Sequence, residues 1–124
     1  MGGNIPDLVI ELMVLDASGV MKGRTRLQKT MFLLKEKYGM PISLHFESYF
    51  YGPYSEELTY DIEVLKAFKA VEEERVKVND YYESRYKLTP KGKEVLRRLL
   101  ENDEKLKEIY QKIKSHVEKI HSDT

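Results

Sequence analysis

The stretch YFYGPYSEEL, residues 49–58, decides how the chain is read. An aromatic run of strand character meets Gly52-Pro53, and Ser55 stands where its hydroxyl can cap a helix that opens with Glu56 and Glu57. Leu58, Ile62, Leu65 and Phe68 follow at helical spacing, which predicts one buried stripe. Upstream, Pro41 blocks helix continuation after Gly39. Leu44, Phe46 and Phe50 then alternate with His45, Glu47, Tyr49 and Tyr51, the pattern of a short half-buried strand that ends at Gly52-Pro53.

Two helices are predicted before this strand. The first covers Ile5 to Ala17, with Asn4 as N-cap, Pro6 in the first turn, Gly19 beyond the end and a core face of Leu8, Leu12 and Leu15. The second opens at Gly23-Arg24-Thr25-Arg26-Leu27-Gln28. Thr25 and Gln28 have the spacing of a capping box, Leu27, Met31, Leu34 and Tyr38 form the buried face, and Gly39 closes the helix.

After the stretch the period changes to two. Val71–Val78 and Arg85–Leu88 predict an antiparallel hairpin whose turn, around Asn79-Asp80, is somewhat longer than two residues. Thr89-Pro90 caps a fourth helix, and a break at Asn102-Asp103 precedes a fifth. Leu99, Leu106, Ile113 and Ile120 recur every seven residues, either as a helix-pairing seam for a homodimer or as a stripe that packs on its own domain. The fold class is therefore α+β, mostly helical: a winged-helix-like domain over residues 1–100, with three helices, a short strand and a hairpin wing, and a helical extension over 101–124 that is a candidate dimerisation element.

Composition narrows the function classes. The 124 residues make one domain's worth of chain, and 21 basic residues balance 21 acidic ones, so any affinity for nucleic acid must come from local clustering. The chain has no cysteine, hence no thiolate metal site or disulfide framework; no apolar run approaches membrane-spanning length, and a cytoplasmic location without membrane contact is expected. No catalytic constellation stands out. His116 and His121 are off one helical face, His45 is remote, and Lys91-Gly92-Lys93 lacks the pattern of a phosphate loop. Its glycine reads instead as a point of close helix packing. Neither a cofactor nor a metal is expected, and no enzyme.

The pieces Gly23-Arg24-Thr25-Arg26-Leu27-Gln28-Lys29, Phe32-Leu33-Leu34, Tyr51-Gly52-Pro53-Tyr54-Ser55 and Tyr86-Lys87-Leu88-Thr89 resemble the YwgA-type proteins of archaea and bacilli, and more distantly the SocA-type antitoxin Panacea domain. The resemblance implies a winged-helix-like protein of transcriptional-regulator type and no catalytic residues.

Two functions follow. One is a DNA-binding regulator that grips duplex through Lys22, Arg24, Arg26 and Lys29 at the start of the second helix and through Arg75, Lys77 and Arg85 on the wing. The other is a protein-interaction module of antitoxin or adaptor kind, whose partner meets Tyr54, Glu57, Tyr60 and Asp61 on and beside the third helix. Glu56, Glu57, Asp61 and Glu63 set that helix against phosphate, which separates the two readings.

Overall fold

The computed structural model describes residues 4–123. In chain order its elements are α1 (Asp7–Ser18), β1 (Met21–Lys22), α2 (Arg24–Glu36), β2 (Glu47–Tyr49), β3 (Gly52–Tyr54), α3 (Glu56–Ala67), β4 (Val71–Val78), β5 (Tyr81–Leu88), α4 (Pro90–Glu101) and α5 (Glu104–Ser122). Three strands form an antiparallel sheet in the order β1-β5-β4, and β2 and β3 make a separate hairpin. No helix among the described residues is long and apolar enough to cross a membrane.

α1 is the central element. Ile10 and Leu12 to Leu15 are all buried, so the helix is enclosed rather than amphipathic, with α4, α5 and β5 around it. It begins behind Pro6 with no side-chain cap, so Asn4 does not cap it. Other ends follow local chemistry. Ser55 Oγ accepts from Leu58 N (3.2 Å), Thr89 Oγ1 from Gly92 N (3.0 Å) and Asp103 Oδ1 from Leu106 N (3.0 Å), which starts α3, α4 and α5 where the sequence places them.

Several expectations are corrected. First, Thr25 and Gln28 make no capping box. α2 starts at Arg24 behind Gly23, and Gln28 is buried, its amide spent on another element. Second, Gly52-Pro53 does not end the short strand, which stops at Tyr49. Phe50-Tyr51 is the turn, Gly52 to Tyr54 form the returning strand, and Phe50 is 99% exposed rather than buried.

The segment before β2 takes no ladder because side chains satisfy its backbone. Lys35 donates to Leu44 O (2.6 Å), Asp7 accepts from Ser43 N (2.8 Å) and Glu57 accepts from His45 N (2.6 Å). Third, the wing turn has two residues, Asn79 and Asp80, with Val78 opposite Tyr81 and Asn79 in the left-handed region (φ 55°) that asparagine tolerates. Phe68 also leaves the core: it is half exposed, with the Lys91 ammonium 3.9 Å from its ring centre.

Of the two readings of the seven-residue stripe, packing on the chain's own domain is the one the structure takes. Ile113 and Ile120 lie in the chain's own core with Tyr110 and Val117, against α1 and α2, while Leu106 packs at its margin and Leu99 is the one exposed member. Uncovering Tyr110, Ile113, Val117 and Ile120 for a second chain would forfeit on the order of 6 kcal/mol of apolar burial, comparable with a small domain's whole stability. The spacing arose because seven residues approximate two helical turns, which any buried stripe satisfies.

Candidate functional site

The end of β1, the start of α2, Arg75 of β4 and the first half of β5 line a polar groove of about 440 Å³, whose residues include Lys22, Arg24, Arg26, Tyr82 and the acid Glu83. Here Lys22, Arg24 and Arg26 of the first basic cluster and Arg75 of the second line one groove. Lys22 and Arg75 are exposed, and the Arg75 guanidinium lies 5.4 Å from the centre of the Tyr82 ring. Arg26 is half-buried and within 3.3 Å of His121 Nδ1, whose other nitrogen meets Ser18 Oγ at 3.2 Å. Burial and then the Arg26 charge lower the His121 pKa, which favours a neutral ring beside that guanidinium.

The β4–β5 hairpin contributes unevenly. Pleating puts Arg75 and Lys77 on one face, opposite Ser84 and Tyr82, whereas Arg85 stands opposite Glu74 and Lys22 on the other. Arg85 is bound at 2.9 Å to Glu83, which lines the groove, but does not line it itself. Lys29, exposed on α2, lines neither this groove nor the cleft beside it.

That cleft, about 690 Å³, is more apolar. α2, the β2–β3 hairpin, α3 and the β4–β5 sheet surround it; Leu27, Leu58 and Ile62 supply aliphatic wall and Tyr49, Tyr51 and Tyr54 supply rings. Tyr49 and Tyr54 meet edge to face at 5.3 Å, and Thr59 Oγ1 donates to the Tyr54 hydroxyl at 3.0 Å. Gln28 fixes the cleft's shape. Its Oε1 accepts from Ser55 N (2.7 Å) while its Nε2 donates to Ser55 O (3.1 Å) and to Thr59 Oγ1 (3.2 Å), joining α2 to the start of α3. Replacing Gln28 by alanine leaves the buried Ser55 N–H without this acceptor. The expected loss is about 2 kcal/mol of stability, read from urea unfolding.

Between groove and cleft lies a charged network centred on Glu73. Its carboxylate accepts from Lys66 Nζ (2.6 Å), Arg24 Nη2 (3.3 Å) and the Ser84 hydroxyl. Burial acts upward on its pKa, but these donors prevail and hold it down at about 2. Glu73 is therefore a fixed anion that spaces the two cations. Sequence reading missed it because three successive glutamates look alike until the pleat turns only the middle one inward.

The residues expected to meet a protein partner divide. Tyr60 is 69% exposed, but Glu57 is engaged with His45 N and Asp61 is half-buried beside Glu11. Both carboxylates have structural tasks at home. The histidines likewise: His116 stacks on Tyr38 with ring centres 4.2 Å apart. Among the described residues, no group of three or more His, Cys, Asp or Glu side chains is placed to hold a metal ion.

Fold and site thus define a mostly helical α+β protein with a small antiparallel sheet, a basic groove and an aromatic cleft side by side. The chain is similar to a Bacillus subtilis (strain 168) protein named Uncharacterized protein YwgA, with 40% identity over 79 residues, 64% of this chain and 47% of that protein. It spans about half the length of the curated relative it matches, and this similarity supports the YwgA-type resemblance of its motifs. No protein-family model matches the chain, and no solved structure matches it.

Proposed function

We propose that the protein is a winged-helix DNA-binding regulator that grips duplex by its backbone, with Lys22, Arg24, Arg26 and Arg75 as the contacts. The observation that carries this reading is the convergence of those four cations on one groove between the start of α2 and the wing. The sheet order β1-β5-β4 supports it too, since a strand between the first two helices pairs there with the hairpin's second strand. α3 is not assigned to base reading. Glu56, Glu57 and Glu63 on its exposed surface oppose phosphate, so binding is expected to depend little on sequence.

Fluorescence anisotropy with random duplex tests the reading. The logarithm of the affinity should fall with the logarithm of salt concentration at a slope of about −3.5, the value for four neutralised phosphates. Lys22→Gln with Arg75→Gln should flatten the slope by about 2. No binding at low salt, or an unchanged slope in the double variant, refutes it.

A second reading keeps α3 as a protein-binding face, on the strength of Tyr60, which is exposed among acidic neighbours. The resemblance to the antitoxin domain points the same way. Tyr60→Ala with Glu56→Lys leaves duplex affinity unreduced on the first reading and abolishes retention of a co-purifying partner on the second.

A further inference from the structure

The cleft has the volume of a small-molecule site, for which roughly 300–1,000 Å³ is usual, and a wall of aliphatic side chains and tyrosine rings. What it can recognise follows from which polar groups remain available. The Gln28 amide is committed to Ser55 and Thr59 through both its atoms. Glu73 accepts from Lys66, Arg24 and Ser84, and Glu63 at the rim is engaged by Lys66 at 3.1 Å. Arg24 differs: its side chain is 70% exposed and divides its donors between the Tyr86 hydroxyl and one Glu73 oxygen, the latter at 3.3 Å, a long contact to a carboxylate already well supplied with donors. A guanidinium presents five N–H donors in a planar fork suited to two carboxylate oxygens at once. The cleft therefore offers, at the mouth of an apolar, ring-lined hollow, a guanidinium with donors to spare beyond those given to Tyr86 and Glu73.

We propose that this cleft is a binding site for a small monocarboxylate with an aromatic or branched apolar body, its carboxylate held by Arg24 and its body against Tyr49, Tyr54, Leu58 and Ile62. Such a ligand replaces the long Arg24–Glu73 contact, while Lys66 and Ser84 keep Glu73 satisfied. The site has a regulatory consequence, which rests on the nucleic-acid reading above. Arg24 and Thr25 line both the cleft and the basic groove. A bound acid that draws the guanidinium inward removes one of the four cations offered to phosphate.

The test is titration of the ¹⁵N-labelled full chain with 1-naphthoate, benzoate and acetate, and with 1-naphthalenemethanol as the uncharged counterpart. Saturable amide shifts are expected around Arg24, Gln28, Tyr54, Leu58 and Ile62. Affinity should rise from acetate to naphthoate, with the alcohol weaker by about tenfold. Arg24→Gln should weaken naphthoate about tenfold and leave the alcohol unaffected, and Arg24→Lys should restore part of the loss. The exposure of Arg24 means these variants keep the fold.

The proposal fails if naphthoate gives no saturable shifts up to about 10 mM, a limit corresponding to roughly 3 kcal/mol of binding. It fails equally if the alcohol binds as well as the acid, or if the shifts map elsewhere or persist unchanged in Arg24→Gln. In the duplex assay, saturating naphthoate should lower the salt slope by about 1. A chain that binds both naphthoate and duplex with an unaltered slope overturns the coupling alone. A chain that binds naphthoate but no duplex overturns the nucleic-acid reading and supports the cleft.

Discussion

Replacing Glu11 by glutamine is expected to make the protein increasingly more stable than its parent as the pH rises. Glu11 is 1% exposed on α1, with no basic group or backbone donor bonded to its carboxyl, which is set against that of Asp61. Burial first, then the neighbouring Asp61 carboxyl and the charge of Asp7, push its pKa up to about 11. In the unfolded chain the same group titrates in the ordinary glutamate range. Between those limits the folded protein holds a proton that the unfolded chain has released. Stability is therefore greatest below the unfolded pKa and falls with rising pH by about 1.4 kcal/mol per unit.

By neutral pH the accumulated penalty is about 3 kcal/mol, a large share of a small domain's stability. Glutamine has the same shape and no proton to lose. Urea unfolding at a series of pH values should show the difference between variant and parent growing at that slope, whatever constant cost the buried amide adds. A pH-independent difference would mean that Glu11 ionises in the folded protein. The prediction bears on the site as well, because Asp61 is the α3 side chain set against Glu11. Part of the acidity of α3, the carboxyl of Asp61, belongs to an internal carboxyl pair with Glu11.

What was legible in the sequence was local. Ser55, Thr89 and Asp103 cap helices using backbone within three residues, so the type and place of each residue suffice to find them. The start of α2 was found but misassigned. Arg24, Arg26 and their neighbours are read correctly as a basic cluster, yet Gln28 belongs to Ser55, 27 residues on, and no local rule weighs that partner against a capping box.

β1 is a two-residue strand with no periodicity of its own; it exists because Met21 and Lys22 pair with Tyr86 and Arg85. The cleft was out of reach for the same reason, since four separate parts of the chain surround it. The tyrosines take different places: Tyr86 and Tyr110 are in the core and Tyr60 is exposed. Tyr49, Tyr51 and Tyr54 line a hollow, an outcome that composition cannot distinguish from the other two. The regular spacing of Ile113 and Ile120 was read correctly as apolar, but which neighbour covers it is a tertiary fact.

Gly92→Ala is expected to be severely destabilising, although by helix propensity alone it should help. Gly92 lies in the first turn of α4, where alanine is intrinsically better by up to about 1 kcal/mol. A Cβ built there meets Ala70 O at 2.1 Å, with Ala70 C at 3.0 Å and Cα at 3.2 Å. All three are backbone atoms, so no rotamer change relieves the overlap.

Nor is that backbone free to retreat. Ala70 O accepts from Thr89 N at 3.0 Å, and Thr89 Oγ1 donates to Lys69 O at 2.6 Å while accepting from Gly92 N. Relief must come from parting α4 from the segment that joins α3 to β4, at the expense of those hydrogen bonds. The expected net loss is about 3 kcal/mol, against a change within about 0.5 kcal/mol for Lys93→Ala at the exposed neighbouring position. Chemical denaturation of both variants decides it; equal stability would show that the helix and the wing do not approach so closely. Because Ala70 leads directly into β4, the same displacement carries Arg75 away from Arg24. In duplex binding, any folded Gly92→Ala protein should therefore show a shallower salt slope than Lys93→Ala, even though Gly92 itself touches no part of the groove.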